Sequence, residues 1–282
     1  VANPDLPSWV DGRLVPAGEP ALRADDAGFT LGLAVFETLL AEEGCRYFQA
    51  EHLERLRRGA AALDIAWPRR DPALDLAQYA AALDEPAPLA LRLTLSRGAP
   101  GAGCSLVIGA RPVEALPPEG VCVRIAGAKL AAGRTEGLKT TGRARNVLER
   151  EAAQREGAWE ALLCTEEGDL SEGTISNLFC VSGGVLRTPP LTRGCLPGIV
   201  RARLAELVAE DGPPLVEERL FPDDLARADE VFLTNSTGRL VGVVEVSGVV
   251  AGLPGTPGAV LTDLRRRWRG MEERYRTQVC GE

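Results

Sequence analysis

Two consecutive prolines, Pro117 and Pro118, sit in the stretch Glu114-Ala115-Leu116-Pro117-Pro118-Glu119-Gly120 near the middle of the chain. No helix and no central strand can run through such a pair, because proline lacks the N–H and constrains the residue before it. Apolar strand-like runs flank the break, residues 104–113 before it and 121–130 after it, so it separates two folded halves. Each half mixes strand alternation with helical periodicity, which makes the fold class α+β. The expected organisation is a small α+β domain over 1–113, a linker over 114–119 and a larger domain over 120–282.

In the first half, Asp11-Gly12 reads as the turn of a short hairpin, and Glu42-Glu43-Gly44 as another. Asp26 and Gly28 suit a turn entering a strand, with Phe36 and Leu39 as core residues. Residues 51–63 have helical spacing, with Leu53, Leu56 and Ala60 on one stripe, and a second helix closes towards Pro86. In the strand that follows, Leu91, Leu93 and Leu95 face one way and Arg92, Thr94 and Ser96 the other. The second half reads as a strand, a helix from Arg143 to Glu156 that turns Val147, Leu148 and Ala152 inward, and then short strands with turns at 166–169 and Gly183-Gly184. A helix opens after Pro197-Gly198, residues 229–246 read as strand, polar turn and strand, and an amphipathic helix closes the chain over 257–276.

Composition excludes several functions. A formal charge of −8 argues against nucleic acid as a partner, and the arginine runs at 55–58 and 265–269 read as solvated helix faces. The seven cysteines are scattered, odd in number and never spaced C-x-x-C, so neither a disulfide framework nor a zinc ribbon is expected. Cys122, Cys164 and Cys180 read as small core residues. A single histidine, His52, excludes a histidine metal cluster, and no metal is expected. No apolar run is long enough to span a bilayer, so the expected location is the cytoplasm, without a membrane partner.

Against abundant arginine, the chain has two lysines, Lys129 and Lys139. Arginine supplies charge but not an amine that can lose its proton near neutral pH and attack a carbonyl, so Lys139, lying between a strand and a helix, is a candidate nucleophile. The competing reading is a surface lysine that escaped replacement. Glu172, in Leu170-Ser171-Glu172-Gly173, could keep a heterocyclic nitrogen protonated or simply face water. The helix opening at Ile199 and Val200, the hydroxyl-rich turn 234–238 and Arg55 could together hold a phosphate, though each has an ordinary structural explanation.

Six blocks in order, at residues 25–39, 51–56, 137–148, 170–179, 195–199 and 229–243, resemble the class IV aminotransferases, a family of pyridoxal-phosphate enzymes. The family includes branched-chain and D-amino-acid aminotransferases and aminodeoxychorismate lyase. The resemblance implies fold type IV, a small α+β domain and a larger pseudo-barrel domain with pyridoxal 5'-phosphate between them, in a homodimer. It implies that Lys139 holds the cofactor covalently and moves the Cα proton, and that Glu172 pairs with the pyridine nitrogen. Arg55, Ile199, Val200 and Ser236 match the phosphate cup. Thr237, Gly238 and Arg92 match positions that meet the substrate.

Within the family, Thr38, the stretch Arg92–Gly103 and the 232–243 turn lean towards aminodeoxychorismate lyase of folate biosynthesis, which gives 4-aminobenzoate and pyruvate. Thr38 would assist proton movement at the leaving group, and Arg92 or Arg97 would serve a dicarboxylate substrate. Gly142 and Gly242 depart from that pattern, which commonly has asparagine and proline there. The alternatives are an aminotransferase for D-amino acids, (R)-amines or branched-chain amino acids, and a non-catalytic relative that keeps the fold.

Overall fold

The structure, a computed structural model, describes residues 3–83, 88–130, 133, 135–250, 253 and 257–281. The chain forms two compact units. Unit 1 comprises the residues up to Glu114, the segment Leu138–Gly142 and the chain from Tyr275 onward; unit 2 comprises Ala115–Gly137 and Arg143–Arg274. The Pro117-Pro118 break therefore lies at the start of unit 2.

Unit 1 contains β1 (Ser8–Val10), β2 (Arg13–Val15), α1 (Ala27–Leu31), β3 (Ala34–Glu42), β4 (Cys45–Arg46), α2 (Gln49–Ala62), α3 (Pro72–Leu83), β5 (Leu89–Ser96) and β6 (Ser105–Pro112). Asp84 to Pro86, where the sequence ends the second helix, lie outside the described residues. The strands form one sheet in the order β2-β1-β6-β5-β3-β4. Both expected hairpins form, with positive φ at Asp11, Gly12, Glu43 and Gly44 as a two-residue reversal requires. Val35, Leu39, Leu91, Leu93 and Leu95 share a core with Leu56 and Ala60 of α2 and Leu76 and Tyr79 of α3. The strand period leaves Phe36, Thr38, Arg92 and Thr94 on the opposite face.

Residues 27–31 form a short helix rather than a turn entering a strand. Asp26 caps it, accepting from the N–H groups of Gly28 and Phe29, and Ser96 fastens the same carboxylate. A second difference concerns cysteine. Cys45 and Cys280 form a disulfide across a separation of 235 residues. No local spacing reveals such a pair. Around it Tyr275 stacks on Tyr47 and meets Phe48 at a tilt, and Arg276 pairs with Glu43.

Unit 2 contains β7 (Val121–Leu130), α4 (Ala144–Arg155), β8 (Glu160–Thr165), β9 (Leu170–Gly173), β10 (Asn177–Ser182) and β11 (Val185–Thr188). There follow α5 (Ile199–Asp211), β12 (Leu215–Glu217), α6 (Pro222–Ala226), β13 (Glu230–Asn235), β14 (Arg239–Ser247) and α7 (Ala259–Tyr275), whose last residue counts with unit 1. The sheet order is β12-β11-β10-β13-β14-β7-β8-β9, and β9 also pairs with β10, so six strands close into a barrel-like ring. Alternate residues of β8 serve two cores: Leu162 and Cys164 pack with Leu178, Val231 and Val243, while Ala161 and Leu163 meet Ala153 of α4. α4 turns Asn146 and Ala153 inward. Val147 and Leu148, expected inside, are 52% and 62% exposed, because the helix is rotated about its axis from that expectation. Cys122 is half-buried, whereas Cys164 and Cys180 are buried as expected. Among the described residues no helix is long and apolar enough to cross a membrane.

Candidate active site

In unit 1, Lys139 reaches the sheet by edge pairing. Thr140 bridges Val35, the Phe36 N–H donates to the Lys139 carbonyl at 2.8 Å, and the Thr141 N–H donates to Ala34 at 3.0 Å. Residues opposed in an antiparallel pair share a face, so Lys139 stands on the Phe36 side, with its Nζ 4.7 Å from the ring centroid. Arg92 approaches the same ring, its Cζ 3.6 Å from the centroid. Thr38 lies opposite Arg92 in register and two residues from Phe36, on that same face. Lys139, Thr38 and Arg92 are thus brought together around an aromatic ring. Arg97 is exposed, and its guanidinium donates to the Leu63 carbonyl.

On the other side of β3, Glu37 is fully buried, at a position whose neighbours by parity are Val35 and Leu39. Arg55 grips it with two bonds of 2.7 Å, from Nε to Oε1 and Nη2 to Oε2. His52 Nδ1 lies 2.7 Å from Oε2. Burial alone would raise the Glu37 pKa, but the Arg55 charge and the hydrogen bonds from Arg55 and His52 outweigh it and hold the carboxyl at about 2. Burial pulls the His52 pKa below its ordinary value despite the Glu37 carboxylate, with the Arg55 and Lys139 charges acting in the same downward direction. Arg55, expected on a phosphate, is therefore also oriented by Glu37.

In unit 2, Glu172 occupies β9 directly opposite Asn177 of β10. Its Oε2 accepts from Asn177 Nδ2 at 2.9 Å and from the Leu196 N–H at 2.8 Å, and Asn177 also donates to the Leu196 carbonyl. Asn177 links this carboxylate to the start of α5. A side chain at Gly198 would place its Cβ 1.9 Å from Asn177 Oδ1, so only glycine fits there. Gly198 caps α5 without a side-chain hydrogen bond, which leaves the helix start to the N–H groups of Ile199 and Val200. Thr234, opposite Asn177 on β13, has a buried hydroxyl with no hydrogen-bond partner. The turn after it is shaped by Asn235, whose Oδ1 accepts from the N–H groups of Thr237 and Gly238, with Ser236 half-buried between.

These features fit pyridoxal phosphate. An uncapped helix start and an orphaned hydroxyl suit a phosphate, and a carboxylate fixed in place by Asn177 and the Leu196 N–H suits a protonated ring nitrogen. Sequence reasoning missed Glu37, His52, Asn177 and Glu160. Glu37 had a readable signal, a charge at core parity in an apolar strand, and His52 stands one turn before Arg55 on the same helix. Glu160 opens a wholly buried strand, the same kind of signal.

A closed ring of strands in one unit, an open sheet bearing a lysine in the other and an anion-ready helix start define a cofactor-dependent enzyme of fold type IV. The chain belongs to the amino-transferase class IV family, whose model matches residues 34–246. It is 29% identical over 272 residues to a D-alanine aminotransferase of Bacillus licheniformis, covering 90% of this chain and 93% of the relative. It is 28% identical over 254 residues to an aminodeoxychorismate lyase of Bacillus subtilis, covering 86% and 87%. A branched-chain aminotransferase structure from Thermoproteus uzoniensis, solved with norvaline, superposes with a TM-score of 0.85 at 27% identity, over 96% of this chain and 97% of that one. Class IV aminotransferases depend on pyridoxal phosphate, and this chain is a pyridoxal-phosphate enzyme of that family.

Proposed function

We propose that this enzyme is an aminodeoxychorismate lyase of folate biosynthesis, releasing 4-aminobenzoate and pyruvate. The observation that carries the reading is the face of β3 and β5 shared by Lys139, Thr38 and Arg92. When bound, pyridoxal phosphate supplies an electron sink for the carbon that carries the substrate amine. The Lys139 amine would hold the cofactor and, once displaced from it by the substrate amine, would take the proton from that carbon. The Thr38 hydroxyl would donate to the departing pyruvyl oxygen, and Arg92 would pair with a substrate carboxylate; Thr237 and Gly238 of unit 2 are further candidates to meet the substrate, whereas Arg97, turned to the Leu63 carbonyl, is not placed beside Arg92. Glu172 would keep the ring nitrogen protonated, and Arg55, the Ile199 and Val200 N–H groups and Ser236 would hold the phosphate.

Aminodeoxychorismate supplied alone should yield 4-aminobenzoate with no keto acid added. Product that forms only with an amino donor and 2-oxoglutarate rejects the lyase. Lys139→Arg should lower turnover by about 10³-fold or more while the protein melts as before; retained turnover removes Lys139 from the chemistry. A second reading, transamination of branched-chain or D-amino acids, is favoured by matches to such aminotransferases that run over 286 and 272 residues, against 254 for the lyase. We further propose a homodimer. Phe29 and Leu31 in unit 1 are 74% and 71% exposed, and Val147 and Leu148 in unit 2 are also exposed, apolar surface that a second copy would cover.

A further inference from the structure

The ring of strands in unit 2 closes at its weakest point. β10 meets β13 through five registered pairs, but it meets β9 through one, Asn177 opposite Glu172. A single pair offers little backbone bonding to fix the register, and a one-residue slip would turn the Glu172 carboxylate to the other face. Side chains must hold the closure.

We infer that Glu160 is a positioning residue: it grips the turn 174–176 between β9 and β10 and so sets the Glu172 carboxylate against its two donors. The inference rests on the proposed role of Glu172 at the ring nitrogen.

Glu160 is fully buried, and each of its oxygens accepts twice. Oε1 takes the Ala161 N–H at 2.9 Å and the Thr174 hydroxyl; Oε2 takes the Ile175 N–H at 3.0 Å and the Ser176 hydroxyl at 2.9 Å. Three of the four donors belong to the turn. A carboxylate is the one side-chain group of this size that only accepts, so it suits a pocket lined by donors. A Cβ at Gly173 would lie 2.8 Å from Glu160 Oε2, so glycine leaves the room this approach needs. From the other direction Asn146 Nδ2 donates to the Thr174 carbonyl at 3.2 Å, and Arg143 donates to it as well. The turn is clamped at its carbonyl by α4 and its cap, and at its hydroxyls and N–H by Glu160. With the turn fixed, Gly173 N–H reaches the Ser176 carbonyl at 2.7 Å, and Asn177 falls opposite Glu172.

The test compares Glu160→Gln, Glu172→Gln and the double variant as holoenzymes. The readouts are the pyridoxal-phosphate dissociation constant, the pH midpoint of the bound coenzyme's visible absorbance, kcat and the melting temperature. Glu172→Gln should shift the midpoint and weaken coenzyme binding roughly two- to tenfold, the range of one lost hydrogen-bonded contact. Glu160→Gln should move both in the same direction by a similar factor. In the double variant, adding Glu160→Gln to Glu172→Gln should change them less than about twofold, the sign of two residues acting through one group. If Glu160→Gln lowers only the melting temperature, or multiplies its effect in full on the Glu172→Gln background, the inference is overturned and the role of Glu172 stands. If Glu172→Gln itself leaves the midpoint and the dissociation constant unchanged, the reading of Glu172 fails and the inference falls with it. Should Glu160→Gln not fold, Ser176→Ala keeps the carboxylate and removes one donor. It should move the midpoint in the same direction, and an unmoved midpoint overturns the inference.

Discussion

Glu37 in unit 1 and Glu160 in unit 2 are both completely buried carboxylates, and the two are held by opposite means. In unit 1, Glu37 is held by charge, with a bidentate Arg55 and the ring of His52 around it. In unit 2, Glu160 is held by neutral donors, two hydroxyls and two N–H groups. The difference decides how each fails. A paired charge cannot lose its partner without stranding another charge in the protein, whereas a carboxylate among neutral donors can lose them one at a time. It also decides what each can do. Glu37 orients a cation that is itself a candidate ligand, while Glu160 shapes the backbone that presents another carboxylate.

The comparison breaks first at Glu37→Ala. Removing it takes away the carboxylate that Arg55 grips with two hydrogen bonds, and chemical denaturation should show a loss of about 3–5 kcal/mol. A loss under about 1 kcal/mol would mean that Arg55 is compensated by other groups and that the pair is not the organising contact. Thr174→Val is the matching change in unit 2. It deprives Glu160 of one donor and should cost less, about 1–3 kcal/mol in the same measurement. A cost equal to that of Glu37→Ala would erase the distinction between the two regions.

The pH dependence sharpens the contrast. His52 has a folded pKa below the ordinary 6.5, so the unfolded chain takes up this proton first as pH falls. Stability is therefore lost from pH 6.5 downwards until the folded value is reached, at about 1.4 kcal/mol per pH unit. Glu37 acts lower. With its folded pKa about 2 against an ordinary 4.5, its contribution is present above 4.5 and is lost as pH falls towards 2. His52→Gln keeps a donor for Glu37 and should flatten only the first window. Denaturation midpoints between pH 7 and pH 4 that run parallel in the two proteins would show that the histidine does not set the acid limb.

Much of this was legible in the sequence, and the reasons are local. The hairpins at Asp11-Gly12 and Glu43-Gly44, the α2 stripe and the alternation of β5 follow from short-range geometry, and each formed as expected. The isolation of Lys139 among arginines pointed to its segment, though not to the return of Leu138–Gly142 to the edge of β3. What stayed hidden depends on tertiary partners. Glu37 meets residues 15 and 18 positions away, and Glu160 meets residues 14 to 16 positions away, distances at which no helix or strand period speaks. Val147 and Leu148 look like an inward stripe by spacing alone. The rotation that exposes them is set by how Ala153 seats against β8 and Asn146 against the Thr174 carbonyl, information that periodicity does not carry.

The bond between Cys45 and Cys280 gives the chain a topology of its own. With it closed, denaturation yields a loop of some 235 residues instead of an open thread, and the entropy such a loop lacks corresponds to about 5 kcal/mol in favour of the folded state. A reductant would release that constraint without touching a catalytic group. The heat tolerance of this enzyme is thereby tied to the thiol balance of whatever compartment contains it.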